Sequence, residues 1–337
     1  IRVMTQIPAT TSYWSRSSAD GRFFGSGAGV PGGGSSIIDL TNDHQIQITD
    51  AYYDPAFFPD NNGWVFQGSG GNNVCAQSVL LGSPNSFSMD GSAACSSLNL
   101  VGLYQHVGRA TTGGVPGDYF SISGNFSNDD FGHSPTHGQP AAPFNNFETV
   151  DLTPMVFNGT SFQQDDSTSI AIPQEGDVVL SETTDLALSR LSSGAGSYQI
   201  GFQLRAIDKT ANGNGTYAVD APIIGTYCQT GGKVAFSFDD RWAVYHHYYE
   251  NTNADAQLLG FADTNAAGFA PYKIKGASDI FAIELATGVV TRITNMTPGQ
   301  YAQYPHFRSD GWLYFLVRDN NSDKEYAAAS DRVLRLE

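Results

Sequence analysis

The chain has 337 residues, enough to bury a sizeable core and to form one to three domains. Its formal net charge is −16, and its 17 Lys and Arg residues are scattered rather than clustered. Nucleic acid and anionic membranes bind clustered positive charge, so the composition argues against both as partners. The sequence has no run of 18 apolar residues and therefore predicts no membrane-spanning helix.

The composition favours short strands joined by turns. Charged residues make up 15% of the sequence, whereas glycine occurs 37 times and Ser, Thr and Asn are abundant. No window of 12 residues carries a sustained apolar stripe at helical spacing. We therefore predict an all-β protein.

In chain order, the predicted elements form a repeat: an inner strand, a polar turn containing Asp or Gly, an apolar strand, a loop, and one or two further strands. The six copies cover 10–24, 36–40 and 44–49; 53–66, 75–81 and 98–106; 118–130; 177–190 and 201–207; 233–249 and 279–295; and 304–317 with 332–337.

This repeat is typical of the blades of a β-propeller. The sixth copy is one strand short, and residues 2–7 resemble an outer strand, so we expect the N-terminal strand to complete the last blade and close the ring. The sequence thus predicts one domain over residues 1–337, a six-bladed propeller. Five or seven blades remain open because the third copy is degenerate.

Three turn segments carry a resemblance to a known family. Ser17-Ser-Ala-Asp-Gly-Arg-Phe23, Phe236-Ser-Phe-Asp-Asp-Arg-Trp242 and Phe307-Arg-Ser-Asp-Gly-Trp-Leu-Tyr-Phe315 resemble the Ser-Pro-Asp-Gly repeat of TolB-like β-propellers, although Ala19, Phe238 and Ser309 replace its usual proline. The resemblance is good in copies one, two, five and six and poor across about 100–230. It implies a propeller fold but no particular function, because the superfamily includes scaffolds, lyases, glycosidases and peptidase-associated domains.

The three cysteines suggest an oxidising compartment. Cys75 and Cys95 bracket a Gly-, Ser- and Asn-rich segment within one copy, so we predict a disulfide between them. Cys228 is left over, and we expect it to be buried as a small apolar side chain. The chain begins at Ile1 rather than Met, which fits a mature exported protein, although a choice of expressed segment explains it as well. We therefore expect a periplasmic or extracellular location.

The inner strands of a propeller converge on a central channel, which is where we expect a binding site. Counting back four residues from each turn acid gives Arg16, Ala56, Asn125, Ser181, Ala235 and His306. Arg16 and a protonatable His306 would be local positive charges able to attract an anionic group, with Asn125 beside them. Tyr13 and His246 are flanking candidates. A structural channel filled by solvent is the alternative.

Metal sites have weaker support. His246 and His247 are adjacent on a predicted strand and so point to opposite faces, which favours one histidine between blades and one facing a loop. His133 and His137 are spaced four apart in a loop and could bind zinc or copper with a third ligand. No cofactor is predicted, but a calcium or zinc ion in the channel or a loop remains open.

No nucleophile elbow, phosphate-binding loop or His-Glu-x-x-His motif occurs in the sequence. The first hypothesis is therefore an exported binding or scaffolding propeller that engages a protein partner or carbohydrate ligand through rim loops and the channel mouth. The alternative is a secreted polysaccharide lyase or glycoside hydrolase with its site at the same mouth, using a Tyr or His base beside an Arg.

Overall fold

The computed structural model describes residues 1–7, 13–27, 35–48, 55–68, 71–82, 86–87, 95–98, 103–110, 119–126, 147–192, 199–212 and 217–336. Strands dominate this part of the chain. Within it, no helix is long and apolar enough to cross a membrane.

The first strands form two small antiparallel sheets. Strand β1, Arg2–Ile7, precedes them. Unit 1 comprises β2, Tyr13–Ser17; β3, Phe23–Gly27; β4, Ser35–Asp39; and β5, His44–Ile48. Unit 2 comprises β6, Ala56–Phe57; β7, Gly63–Gly68; β8, Gly71–Ala76; and β10, Cys95–Leu98, with helix α1, Ser78–Gly82, and strand β9, Ser86–Phe87, inserted before β10. The short β9 pairs in parallel with β5 of unit 1.

The next two units share one long strand. Unit 3 comprises β11, Leu103–Arg109; β12, Tyr119–Phe126; β13, Phe147–Phe157, with β14, Phe162–Gln164, on its edge; and the first half of β15, Thr168–Leu180. Unit 4 comprises the second half of β15; β16, Leu186–Ser192; β17, Gln199–Ala206; and β20, Ile223–Tyr227, with the hairpin of β18, Asp208–Ala211, and β19, Tyr217–Asp220, between the last two. The register of β15 on β16 shifts between Gly176 and Val178.

The last two units contain the best-matched repeats. Unit 5 comprises β21, Gly232–Phe236; β22, Trp242–Tyr248; β23, Ser278–Glu284; and β24, Val290–Arg292, with helices α2, Asn253–Leu258, and α3, Ala270–Lys275, before β23. Unit 6 comprises β25, Gln300–Phe307; β26, Leu313–Asp319; β27, Lys324–Ser330; and the N-terminal β1, which pairs antiparallel with β27; a 3₁₀ helix, Val333–Leu336, follows.

The structure differs from the sequence prediction in the second and third copies. Residues 75–81, expected as one strand, divide into the end of β8 and most of α1, and residues 98–106 divide between β10 and β11. Unit 3 therefore starts at Leu103 rather than at Asp118. Its second strand is β12, which pairs with β11 and which the sequence pattern had taken for the inner strand of this copy.

The strands bury both faces, and each face packs on a different neighbour. In β15, Val178 and Leu180 contact the apolar side chains of unit 3, whereas Val179 between them contacts those of unit 5. The same alternation holds in β21, where Val234 packs toward unit 4 and Ala235 toward unit 6. Because consecutive side chains on a strand point to opposite faces, each unit lies between two others.

Buried apolar residues of the described part of the chain form six clusters, each between two units. Representative pairs are Ile37 with Trp64 for units 1 and 2, Val65 with Met155 for units 2 and 3, Ile122 with Val178 for units 3 and 4, Leu188 with Val234 for units 4 and 5, Val244 with Phe315 for units 5 and 6, and Leu316 with Phe24 for units 6 and 1.

The turns of the repeat are held by a serine hydroxyl and an acid two residues later. Ser18 Oγ donates to Asp20 and accepts from the Phe23 backbone N–H at 3.0 Å. Ser237 and Asp239 make the same pair of contacts in unit 5. These contacts satisfy backbone groups at the turn, so the Ser-x-Asp pattern is a folding signal.

The cysteines agree with the sequence prediction at one pair and differ at the third. Cys75 and Cys95 lie opposite each other on β8 and β10 and form a disulfide, with their Cα atoms 4.1 Å apart. Cys228 is free and exposed, whereas it was expected to be buried. It directly follows β20, the outer strand of unit 4, in which Ile223, Ile224 and Thr226 are exposed.

We expect Ile7→Ala to lower the free energy of unfolding by about 2–4 kcal/mol, because Ile7 is 1% exposed and packs in the cluster between units 6 and 1. Val3→Ala on the same strand is the matched control, since Val3 is 59% exposed, and should change stability by less than about 0.5 kcal/mol. Urea denaturation of both variants measures the difference. Equal stability of Ile7→Ala and wild type would contradict the packing of β1 described above.

Candidate binding site in the central cavity

One cavity of about 40 Å³ lies where the first strands of all six units meet. It holds roughly three waters, or a group of four to five heavy atoms. Its lining residues are Arg16, Ser17 and Ala19 of unit 1; Ala56, Phe57, Phe58 and Pro59 of unit 2; His106 and Val107 of unit 3; Val179, Leu180 and Glu182 of unit 4; Ala235, Phe236 and Phe238 of unit 5; and His306 and Phe307 of unit 6.

Most of the ring predicted from the turn spacing lies on or beside this cavity. Arg16, Ala56, Ala235 and His306 line it, and Ser181 lies between two lining residues of unit 4. The geometry of the repeat thus brings together residues that are far apart in sequence.

Asn125 differs from this expectation. It lies in β12, which is flanked by β11 and β13, rather than on an innermost strand, and its side chain is outside the described residues. In unit 3 the innermost strand is β11, and His106 provides the polar side chain at the cavity. The sequence prediction started the third copy too late in the chain, at Asp118, and therefore took β12 for its inner strand.

Arg16 is oriented by His106. An Arg16 Nη2 atom donates to His106 Nε2 at 3.1 Å, and because a guanidinium can only donate, Nε2 must be the unprotonated nitrogen of the ring. Burial, together with the charges of Arg16 and Lys233, holds the pKa of His106 well below its usual value. His106 therefore stays neutral and fixes the orientation of the Arg16 guanidinium, which keeps its positive charge inside the cavity.

His306 is also neutral, contrary to the expectation of a protonatable positive charge. Its Nδ1 donates to the Tyr304 carbonyl oxygen at 3.1 Å, and burial beside Arg16 lowers its pKa to about 3. The ring is 4% exposed and packs against Phe24 and Tyr314, and its Nε2 has no hydrogen-bond partner among the described residues. His306 thus lines the cavity and offers Nε2 as a hydrogen-bond acceptor, but it carries no charge.

Glu182 is the acid of the cavity. Burial raises its pKa to about 8; nearby Asp240 raises it further, while Arg16 opposes the shift. Glu182 is half-buried at the cavity, and in the described part of the chain no group hydrogen-bonds its carboxyl. At neutral pH the carboxyl is therefore largely protonated, and it is available to a ligand.

Sequence reasoning missed His106 and Glu182, but the turn repeat contained a signal for the second. Ser181 aligns with Ser18 and Ser237 of the other turns, so Glu182 occupies the place of the usual proline, where Ala19 and Phe238 also line the cavity. Aligning the turns by their serines, rather than by their acids, would have identified it. The poor match of the repeat across unit 3 left no comparable signal for His106.

His246 and His247 lie away from the cavity lining. His246 is 3% exposed, accepts from the Tyr304 N–H at 3.3 Å through Nδ1, and packs edge-on against Tyr248, which places it between units 5 and 6. On the opposite face, His247 Nε2 lies 2.7 Å from Asp255 of α2. The sequence prediction of one histidine between blades and one facing a connection matches this arrangement.

The remaining candidates fall partly outside what the structure describes. The backbone of Tyr13 pairs with Gly27 in unit 1, but its side chain lies outside the described residues, as do His133 and His137 entirely. In the residues that are described, no three His, Cys, Asp or Glu side chains are grouped so as to hold a metal ion.

Comparison with solved structures identifies the fold. The chain is similar to the β-propeller domain of Cps50 (Swd1) from Myceliophteria thermophila, with a TM-score of 0.52, 9% sequence identity, and coverage of 97% of this chain and 100% of that one. The fold is a β-propeller. At this identity the likeness shows the fold alone.

Two further solved structures align less well. The propeller domain of the trilobed protease from Pyrococcus furiosus gives a TM-score of 0.46 at 9% identity, covering 95% of this chain and 82% of that one. The acylaminoacyl peptidase from Pyrococcus horikoshii gives 0.45 at 8% identity, covering 91% of this propeller and 43% of that chain. No protein-family model matches the sequence, and no characterised protein matches it significantly.

We expect Glu182→Gln to stabilise the propeller at pH 8 by about 1–3 kcal/mol. This is less than the free energy that the full pKa shift of Glu182 would give, because solvent in the cavity screens the charge. The unfolded chain releases the Glu182 proton near pH 4.5 and the folded chain near pH 8, so the wild type loses stability as the pH rises between these values. Denaturation from pH 4 to pH 9 should show the two proteins equally stable at pH 4 and diverging above it. A stability difference that does not change with pH would contradict the assignment.

Proposed function

We propose that the chain is a single-domain, six-bladed propeller of the TolB-like type, with units 1–6 as its blades and β1 closing the ring on β27. The six apolar clusters, each between two successive units, support this count, and the cluster that contains Ile7 and Phe24 supports the closure. The repeated Ser-x-Asp turn supports the TolB-like assignment.

We further propose that this propeller is a binding or scaffolding module that takes an acidic group of a ligand or partner protein at the central cavity. The observation that carries the proposal is the guanidinium of Arg16, which His106 holds at the cavity lined by all six units. Such a site can be contacted by a single ligand while the rim loops contact the rest of a partner.

The electrostatics of the cavity favour an anion. Both lining histidines are neutral, and Glu182 is largely protonated at neutral pH, so Arg16 is the permanent charge among the described lining residues. The surrounding chain has a net charge of −16. A guanidinium in a narrow, phenylalanine-lined cavity binds a carboxylate more strongly than it would in open solvent, because the effective dielectric constant is lower.

The size of the cavity restricts the ligand. About 40 Å³ admits a carboxylate and its first carbon but not a sugar ring. A glycoside hydrolase also needs two carboxyl groups roughly 5–9.5 Å apart, whereas Glu182 is the single acid among the described lining residues. These two observations favour binding over the carbohydrate-active alternative.

We also propose that the protein works in the periplasm or outside the cell. The Cys75–Cys95 disulfide supports this location, since such bonds persist in oxidising compartments and are rare in reducing ones. The exposed thiol of Cys228 would remain unpaired there.

We expect Arg16→Gln to weaken the binding of formate, the smallest carboxylate, by about tenfold or more at pH 7, because the charged donor is lost. Arg335→Gln is the matched control: it removes the same charge from a side chain that is 73% exposed, and it should leave binding unchanged. Line broadening of ¹³C-formate in NMR titrations at constant ionic strength measures both. Equal binding by Arg16→Gln and wild type would overturn the proposed site.

A further inference from the structure

We propose that the Glu182 carboxyl competes with ligands for Arg16 in a proton-dependent manner, so that a small monovalent anion enters the cavity only while Glu182 is protonated. This inference rests on the proposed function, because it concerns the same guanidinium. It names the ligand class as a monovalent carboxylate or an anion of similar size, and it makes binding pH-dependent.

The geometry keeps Glu182 close to Arg16. Both residues line the same 40 Å³ cavity, and the charge of Arg16 acts on the Glu182 carboxyl. The Glu182 carbonyl oxygen accepts the Arg109 N–H at 2.8 Å, which ties the unit 4 turn to β11. Gly108 allows this approach, since a Cβ there would lie 2.4 Å from the Ser181 carbonyl oxygen. These contacts hold the backbone of Glu182 beside β11 and the cavity.

The same cavity cannot hold two carboxylates without cost. An ionised Glu182 would attract the Arg16 guanidinium and repel an incoming anion within the same low-dielectric cavity. A protonated Glu182 instead donates its O–H to the anion, which adds a short, charge-assisted hydrogen bond to those from Arg16. The carboxyl thus changes from competitor to donor on taking up one proton.

The pKa of about 8 places this change in an accessible range. The other titratable and charged groups that face the cavity are His106, whose pKa is lowered and on which Lys233 acts, and His306, whose pKa is about 3. Asp240, which accepts a hydrogen bond from the Thr183 hydroxyl, has a raised pKa of its own and acts on Glu182 from the unit 5 turn. Substitution of Glu182 alone separates its contribution from these.

The test is a ¹³C-formate titration of the full chain at pH 7, 8.5 and 9.5 and constant ionic strength, with formate ionised throughout. For the wild type, the affinity should fall about tenfold per pH unit above the pKa of Glu182, because one proton is required for each anion bound. Glu182→Gln keeps a neutral donor, so its affinity should change less than about twofold over the same range. Glu250→Gln, which removes an exposed acid outside the cavity, should retain the wild-type pH dependence.

The outcomes separate the inference from the proposed function. If wild type binds formate equally well at pH 7 and pH 9.5 and Arg16→Gln still abolishes binding, the competition is overturned and the site stands. If Glu182→Gln keeps the wild-type fall in affinity, another group carries the pH dependence and the competition is likewise overturned. If no variant binds formate at any pH, both proposals fail.

Discussion

Strands that are apolar on both faces place the strongest constraint on this chain. Val178, Val179 and Leu180 are consecutive and all buried, so the strand that carries them must have a neighbour on each side. Full burial of each such side chain contributes about 1.5–3 kcal/mol, and no four-stranded unit can bury both of its faces alone. Each unit is therefore stable only between two others, and the first strand of every unit is directed to a common centre.

The polar chemistry of the cavity follows from that packing. Aromatic residues such as Phe58 and Phe236 line the centre and leave room for only about three waters, so ionisation of histidine and carboxyl side chains there is unfavourable. Arginine is the side chain that keeps its charge under these conditions, because its pKa is too high to be shifted across the accessible range. The cavity thus combines one permanent cation with neutral acceptors and a protonated acid, an arrangement suited to binding a small anion.

The parts of this arrangement that sequence could predict are those with local signals. The Ser-x-Asp turns mark the strands around Ser18 and Ser237, and the loop-rich segment between Cys75 and Cys95 identifies the disulfide. Counting back from the turns placed Arg16 and His306 on inner strands, and both line the cavity.

The parts that sequence could not predict depend on tertiary context. The innermost strand of unit 3 is β11, because β11 rather than β12 lies at the edge of its sheet. The sequence does not show which strand lies there, so His106 was missed and Asn125 was misplaced. Helix α1 is short and has one buried residue, Leu80, so its apolar pattern resembles a strand. The protonation states of His306 and Glu182 depend on tertiary context. Burial beside Arg16 lowers the pKa of His306, whereas burial raises the pKa of Glu182 against the opposing effect of Arg16.

The most direct test of this account is the protonation state of the two cavity histidines, measured by ¹⁵N NMR of the imidazole rings between pH 8 and pH 5. His106→Gln and His306→Gln variants assign the signals. The account predicts that both rings remain neutral over this range, with the proton on Nδ1, because Arg16 donates to His106 Nε2 and the Tyr304 carbonyl accepts from His306 Nδ1. Conversion of either ring to imidazolium with a midpoint near pH 6.5 would show that the cavity is open to water, and it would contradict the role given to Arg16.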